Sequence, residues 1–120
     1  MPIVDRASKY YTESVSLTTT ADTDVYTVPA NFSSHVEHFF ISNNNSSNVS
    51  YTLKFYHSDD DTTHTILDTH AVAGKGMESV FTVDKPLYLH TGDKLIVAAG
   101  TANELVATVS VEEFFDPNKT

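Results

Sequence analysis

The sequence contains no cysteine. That excludes a disulfide framework, a thiolate metal site and a thiol nucleophile. Basic residues are also scarce: seven Lys and Arg stand against 16 Asp and Glu, for a formal charge of −9. A nucleic-acid binder needs a basic stripe to displace counterions from phosphates, so no nucleic-acid partner is expected. No apolar run approaches the ~20 residues of a membrane-spanning helix, and no membrane partner is expected either. The segment Met1-Pro2-Ile3-Val4-Asp5-Arg6 lacks the apolar centre and cleavage pattern of a secretory signal. Four Gly and four Pro are too few for a linker or low-complexity region. Apolar spacing of the helical kind, at i, i+3, i+4 and i+7, is missing throughout.

What is there is a period of two. In Val49-Ser50-Tyr51-Thr52-Leu53-Lys54-Phe55 the odd positions are apolar and the even ones mostly polar. A strand with one dry and one wet face reads this way. Similar runs recur between Lys9 and Phe115, separated by turn-forming residues. They predict an all-β fold, a single antiparallel β-sandwich of jelly-roll or Ig-like type with about eight strands. The expected strands cover 10–17, 25–28, 34–43, 49–56, 65–72, 77–83, 87–89, 95–99 and 105–115. Pro29 stops the second, because it cannot donate to a ladder. In the third, Val36 has one parity while Phe39 and Ile41 have the other, which predicts a bulge near Glu37-His38. The cluster Asn43-Asn44-Asn45-Ser46-Ser47 is read as a hairpin turn that pairs strand 49–56 back onto strand 34–43. Met77, Phe81 and Val83 are expected on one face. The domain organisation is an N-terminal arm over 1–8, a sandwich over 9–115 and a C-terminal tail over 116–120.

Chemistry-bearing motifs are sparse. In His57-Ser58-Asp59-Asp60-Asp61-Thr62-Thr63-His64, the three carboxylates offer oxygen ligands to Ca²⁺, and His57 and His64 could meet across the loop around a transition metal. The segment lacks the glycine and distal glutamate of an EF-hand loop, and consecutive side chains on extended backbone alternate in direction. It reads as a solvated acidic turn, and no cofactor is expected. The set His35-Val36-Glu37-His38 has the wrong spacing for a cupin-type metal pair unless a bulge turns both histidines to one side. No Gly-x-Ser-x-Gly elbow is present and nothing selects a catalytic carboxylate pair, so no enzyme is expected.

Thirteen aromatics remain, six Tyr and seven Phe. They include the doublets Tyr10-Tyr11, Phe39-Phe40 and Phe114-Phe115. On a strand each doublet sends one ring to each face, so one ring of each is expected outside. Exposed aromatics of this kind favour association. Tyr10, Tyr11, Phe114 and Phe115 are the expected interface anchors, with 2–9 and 113–120 as contact segments.

Two patterns carry a resemblance. One is Tyr26-Thr27-Val28-Pro29-Ala30-Asn31 followed by Val36, Phe39, Ile41 and Asn43. The other is Lys85-Pro86-Leu87-Tyr88-Leu89-His90-Thr91-Gly92-Asp93-Lys94-Leu95. Together they resemble short β-sandwich virion structural proteins of tailed bacteriophages, over roughly Thr18 to Glu113. The resemblance implies a non-enzymatic subunit, most of all a capsid decoration or cement protein, or else a tail or neck adaptor or a fibre-type glycan-binding module. It implies major capsid or other virion proteins as partners, a homo-oligomer with a trimer favoured, and a place in a virion assembled in bacterial cytoplasm. No catalytic residue comes with it. A glycan-binding module would use the loops at 43–48 and 57–64.

Overall fold

The computed structural model describes residues 8–115. These form nine strands and no helix. In chain order they are β1 Lys9–Leu17, β2 Thr23–Thr27, β3 Phe32–Asn43, β4 Val49–His57, β5 Thr62–Val72, β6 Met77–Phe81, β7 Leu87–Leu89, β8 Lys94–Ala99 and β9 Leu105–Phe115. One sheet has the order β1-β9-β3-β6, with β7 also paired to β3; the other has β2-β8-β4-β5. Every pairing is antiparallel. The pairs nest from the outside in: β1 with β9, β2 with β8, β3 with β6 and β7, β4 with β5. That nesting is the jelly-roll winding. It decides between the two expected types, because an Ig-type sandwich keeps its first two strands in one sheet, whereas β1 and β2 lie in different sheets here.

The period of two builds the core. Leu105, Ala107, Val109 and Val111 of β9 point inward, as do Val49, Tyr51 and Leu53 of β4 and Leu95, Val97 and Ala99 of β8. Phe39 and Tyr51 are among the largest fully buried side chains. Each such side chain contributes about 1.5–3 kcal/mol by leaving water. The bulge expected in β3 is present: Val36 pairs with Val111 and His38 with Ser110, leaving Glu37 as the extra residue. Val36 and Phe39 are therefore both buried, although they are three apart.

Two local expectations are corrected. Segments 34–43 and 49–56 do not form a hairpin: β3 and β4 lie in different sheets, and the hairpin partner of β4 is β5. Asn43 explains the crossing. Buried at the end of β3, its Nδ2 donates to the carbonyls of Ser47 (3.0 Å) and Val72 (3.0 Å), and its Oδ1 accepts from Asn45 N (2.9 Å). The arch then rests on the β5–β6 turn, where Lys75 N donates to Asn45 O at 2.8 Å. A Cβ on Gly74 would sit 2.2 Å from the Ser46 carbonyl oxygen, so only glycine fits beneath the arch. Met77 and Phe81 do not share a face either. The ladder skips Val80, pairing Phe40 with Ser79 and Phe39 with Phe81, and Met77 is left exposed. Val83 lies beyond β6 and is also exposed.

At one end of the sandwich, three connections meet on Asp93, which is 1% exposed. Its Oδ1 accepts from Ser58 N and Ser58 Oγ, both at 2.9 Å, and its Oδ2 accepts from His90 N at 2.9 Å. Its backbone carbonyl accepts from Val28 N at 3.0 Å. Gly92 beside it has φ +85°, and its amide donates to the Val28 carbonyl at 3.1 Å.

Candidate functional site

The outer face of the five-stranded sheet carries a cross-strand row through four strands. Tyr10 of β1 pairs with Glu112 of β9, Glu112 with His35 of β3, and His35 with Tyr88 of β7. Alternation puts all four on the side away from the core, because Val36 and Val111 between them point inward. The two outer members are the most exposed aromatics of the described residues, Tyr10 and Tyr88 at 68% each. The two inner members are half-buried. The rings of Tyr88 and His35 stack at 4.7 Å with 15° between planes. The Tyr10 hydroxyl is raised above the ordinary phenol range, chiefly by its hydrogen bond to the Glu112 carboxylate.

The bulged residue Glu37 joins this row from the same strand as His35. The ligand atoms of His35, Glu37 and Glu112 all lie within 4.8 Å of one another. All three residues are half-buried. Among the described residues, neither carboxylate forms an ion pair with Lys or Arg. His35 Nε2 is buried and has no hydrogen-bond partner among the described residues. The bulge also turns His38 outward beside Ser110. The sequence singles out His35, Glu37 and His38 as one set and offers Glu112 only as one acid among several, with nothing to join it to them, because it comes from the far end of the chain. Only the pairing of β3 with β9 reveals it.

The inward side of the same corner holds a second polar cluster. Glu113 is 6% exposed and accepts hydrogen bonds from the hydroxyls of Tyr26 (2.6 Å) and Tyr11 (2.8 Å). Ser34, also buried, bonds the Tyr26 hydroxyl. Burial and the Glu113 carboxylate push the Tyr11 hydroxyl up to about 12, and burial pushes Tyr26 higher still.

The aromatic doublets divide as alternation demands. Tyr10 faces out, while Tyr11 reaches Glu113. Phe39 is buried, and Phe40 lies on the other side. Phe114 is exposed, while Phe115 meets Phe32 edge-on at 5.8 Å. Of the expected anchors, Tyr10 and Phe114 stand on the outer face beside Glu112, and Tyr11 and Phe115 turn the other way. Residues 2–7 and 116–120 of the expected contact segments lie outside the described residues.

The acidic loop is arranged differently. His57 pairs with Thr62 and His64 with Phe55, so the two histidines stand two residues out of register. Asp61, at φ 51°, accepts from the Tyr56 hydroxyl at 2.6 Å. No three of His57, Asp59, Asp60, Asp61 and His64 bring ligand atoms within 4.8 Å. Ser58, His57 and Asp93 are neighbours, but not in hydrolase order. The single Ser58 hydroxyl proton is shared between Asp93 Oδ1 (2.9 Å) and the Thr91 carbonyl (2.7 Å), and His57 Nδ1 lies 3.6 Å from Asp93. A triad needs the serine on the histidine, so this trio ties loops together. The loops at 43–48 and 57–64 stand at opposite ends of β4 and form no common surface.

No family model matches this chain, and no curated protein matches it. Similar solved structures include the giant freshwater prawn Macrobrachium rosenbergii extra small virus (XSV) VLP, at 11% identity and TM-score 0.47, over 95% of this chain and 82% of that one. Eiger TNF from S. frugiperda is similar at 12% identity and TM-score 0.40, over 92% and 93% of the two chains. A pentameric capsid protein isolated from metagenomic phage sequences is similar at 17% identity and TM-score 0.38, over 99% of this chain and 68% of that one. At such identities these likenesses assign no role to this chain.

Proposed function

We propose that this chain is a non-enzymatic structural protein of a bacteriophage particle, acting as a capsid decoration or cement subunit. The observation that carries the reading is the outer face of the five-stranded sheet, where Tyr10, Tyr88 and Phe114 are exposed together around one corner. Large aromatics left in water on one face are the usual anchors of a protein interface. Lys9 pairs with Glu113, so the chain enters and leaves the sheet at this corner. Segments 2–9 and 113–120 therefore begin where the aromatic face ends, and they are the proposed contact elements. The sequence resemblance to virion structural proteins supports the same reading, as does a jelly-roll winding, which capsid and lectin domains share. The fold by itself does not select a job.

In this role many copies bind the major capsid protein or each other, and avidity multiplies modest contacts. A closed trimer suits a three-fold position on a shell. The test is solution mass by size-exclusion chromatography with light scattering, on the wild type and on the Tyr10→Ala/Phe114→Ala double variant. A trimer that the double variant weakens tenfold or more supports the decoration role. A ring of six or twelve copies points instead to a tail or neck adaptor of the same fold. A monomer at every concentration, identical in the variant, removes this face as a self-association surface.

A further inference from the structure

We propose that His35, Glu37 and Glu112 form a binding site for a divalent transition-metal ion of the Zn²⁺ class, on the outer face of the five-stranded sheet. The argument rests on three observations. First, one imidazole nitrogen and two carboxylate oxygens already lie within 4.8 Å of one another. A tetrahedral Zn²⁺ with ligands at 2.0–2.2 Å holds them about 3.4 Å apart, so closure asks for a contraction of about 1.4 Å at most. Rotation of two glutamate side chains covers that distance.

Second, the charge at this place is unbalanced. Two half-buried carboxylates face each other with no Lys or Arg ion pair among the described residues. Like charges at this separation oppose each other, and a bound cation reverses the sign of that interaction. Third, His35 Nε2 is buried without a hydrogen-bond partner among the described residues. A buried polar atom in this state calls for an explanation, and an ion or water at the site supplies one.

The surroundings fit a built site. Glu37 is the extra residue of a β-bulge, a device that re-aims side chains. The Tyr88 ring stacks on His35 and fixes its plane, and Tyr10 stands directly across the ladder from Glu112. The ligand set selects the metal. An imidazole with only two carboxylates is a poor match to Ca²⁺, which takes six to eight oxygens. It suits Zn²⁺, with the remaining position open outward to water.

The test uses the full-length, untagged protein, stripped with chelator and titrated with zinc chloride by calorimetry. Wild type is expected to bind one ion per chain saturably and to melt at a higher temperature with zinc than without. Glu112→Gln, Glu37→Gln and His35→Ala are each expected to bind at least tenfold more weakly and to lose the zinc-dependent rise in melting temperature. Should His35→Ala fail to fold, the two surface glutamine variants decide the matter alone. A control with Asp59→Asn, Asp60→Asn and Asp61→Asn together is expected to bind as wild type does. Absence of saturable binding in wild type overturns the proposal. So does unchanged binding in the glutamine variants, or loss of binding in the acidic-loop control.

Discussion

Replacing Asp93 is expected to be among the most damaging single changes in this chain. Its buried carboxylate accepts three hydrogen bonds, from Ser58 N, Ser58 Oγ and His90 N. Hydrogen bonds to a charged acceptor contribute about 1.5–3 kcal/mol each. The simple sum overstates the loss, because Ser58 Oγ keeps the Thr91 carbonyl and the remaining donors are only partly buried. Asp93→Ala is therefore expected to cost about 3–4 kcal/mol, a large share of the 5–15 kcal/mol that holds a domain of this size. Asp93→Asn keeps one oxygen for Ser58 but turns an amide N–H toward His90 N, and should cost about 1–2 kcal/mol. Urea unfolding followed by circular dichroism measures both. The Ala variant should lose about 2 M in midpoint with an unchanged slope. A cycle with Ser58→Ala should show coupling of about 1 kcal/mol, because the two side chains share a bond. If Ala costs no more than Asn, or less than about 1 kcal/mol, the carboxylate is not what joins these loops.

Two further outcomes follow from the same structure. Tyr11 is pushed up to about 12, and Tyr26 and Tyr51 are raised further, each chiefly by burial. The folded chain holds these protons more tightly than the unfolded one, so their contribution is complete below about pH 10 and is lost as pH rises through and beyond about 12. The urea midpoint should fall across that range, and more gently in Tyr26→Phe; equal slopes would refute the assignment. Thr69 sits at φ 50° in β5, a conformation that β-branched residues avoid. Thr69→Asn is expected to stabilise by about 1 kcal/mol and raise the melting temperature by about 4 °C, read by thermal scan.

Much of the fold was legible because the period of two is a local signal. Each of the nine strands overlaps its expected range, and the parity break at Val36 and Phe39 located the Glu37 bulge. What was not legible is which strand pairs with which. The Asn-rich turn has hairpin composition, yet Asn43 uses its side chain to hold an arch between sheets. The bulge that hides Val80 leaves no mark in the sequence, since Met77 and Phe81 still read as one face. The same limit applies to the candidate site. His35 and Glu37 are neighbours in sequence, but Glu112 joins them only through the pairing of β3 with β9, a long-range fact that composition does not encode. Nothing local marks Asp93 as a buried anchor, because its partner Ser58 lies in another connection.

The pairing of Lys9 with Glu113 has a mechanical consequence. β1 begins and β9 ends side by side, on antiparallel neighbours. A pull applied through both of them loads the β1–β9 ladder at its first rung alone, so the strands unzip rung by rung from that corner. Strands pulled from opposite ends would instead resist in shear, with all rungs loaded together. A subunit tethered by both tails is thus weakest along its own tethers, and the Tyr11–Glu113 hydrogen bond beside the first rung acts as the catch.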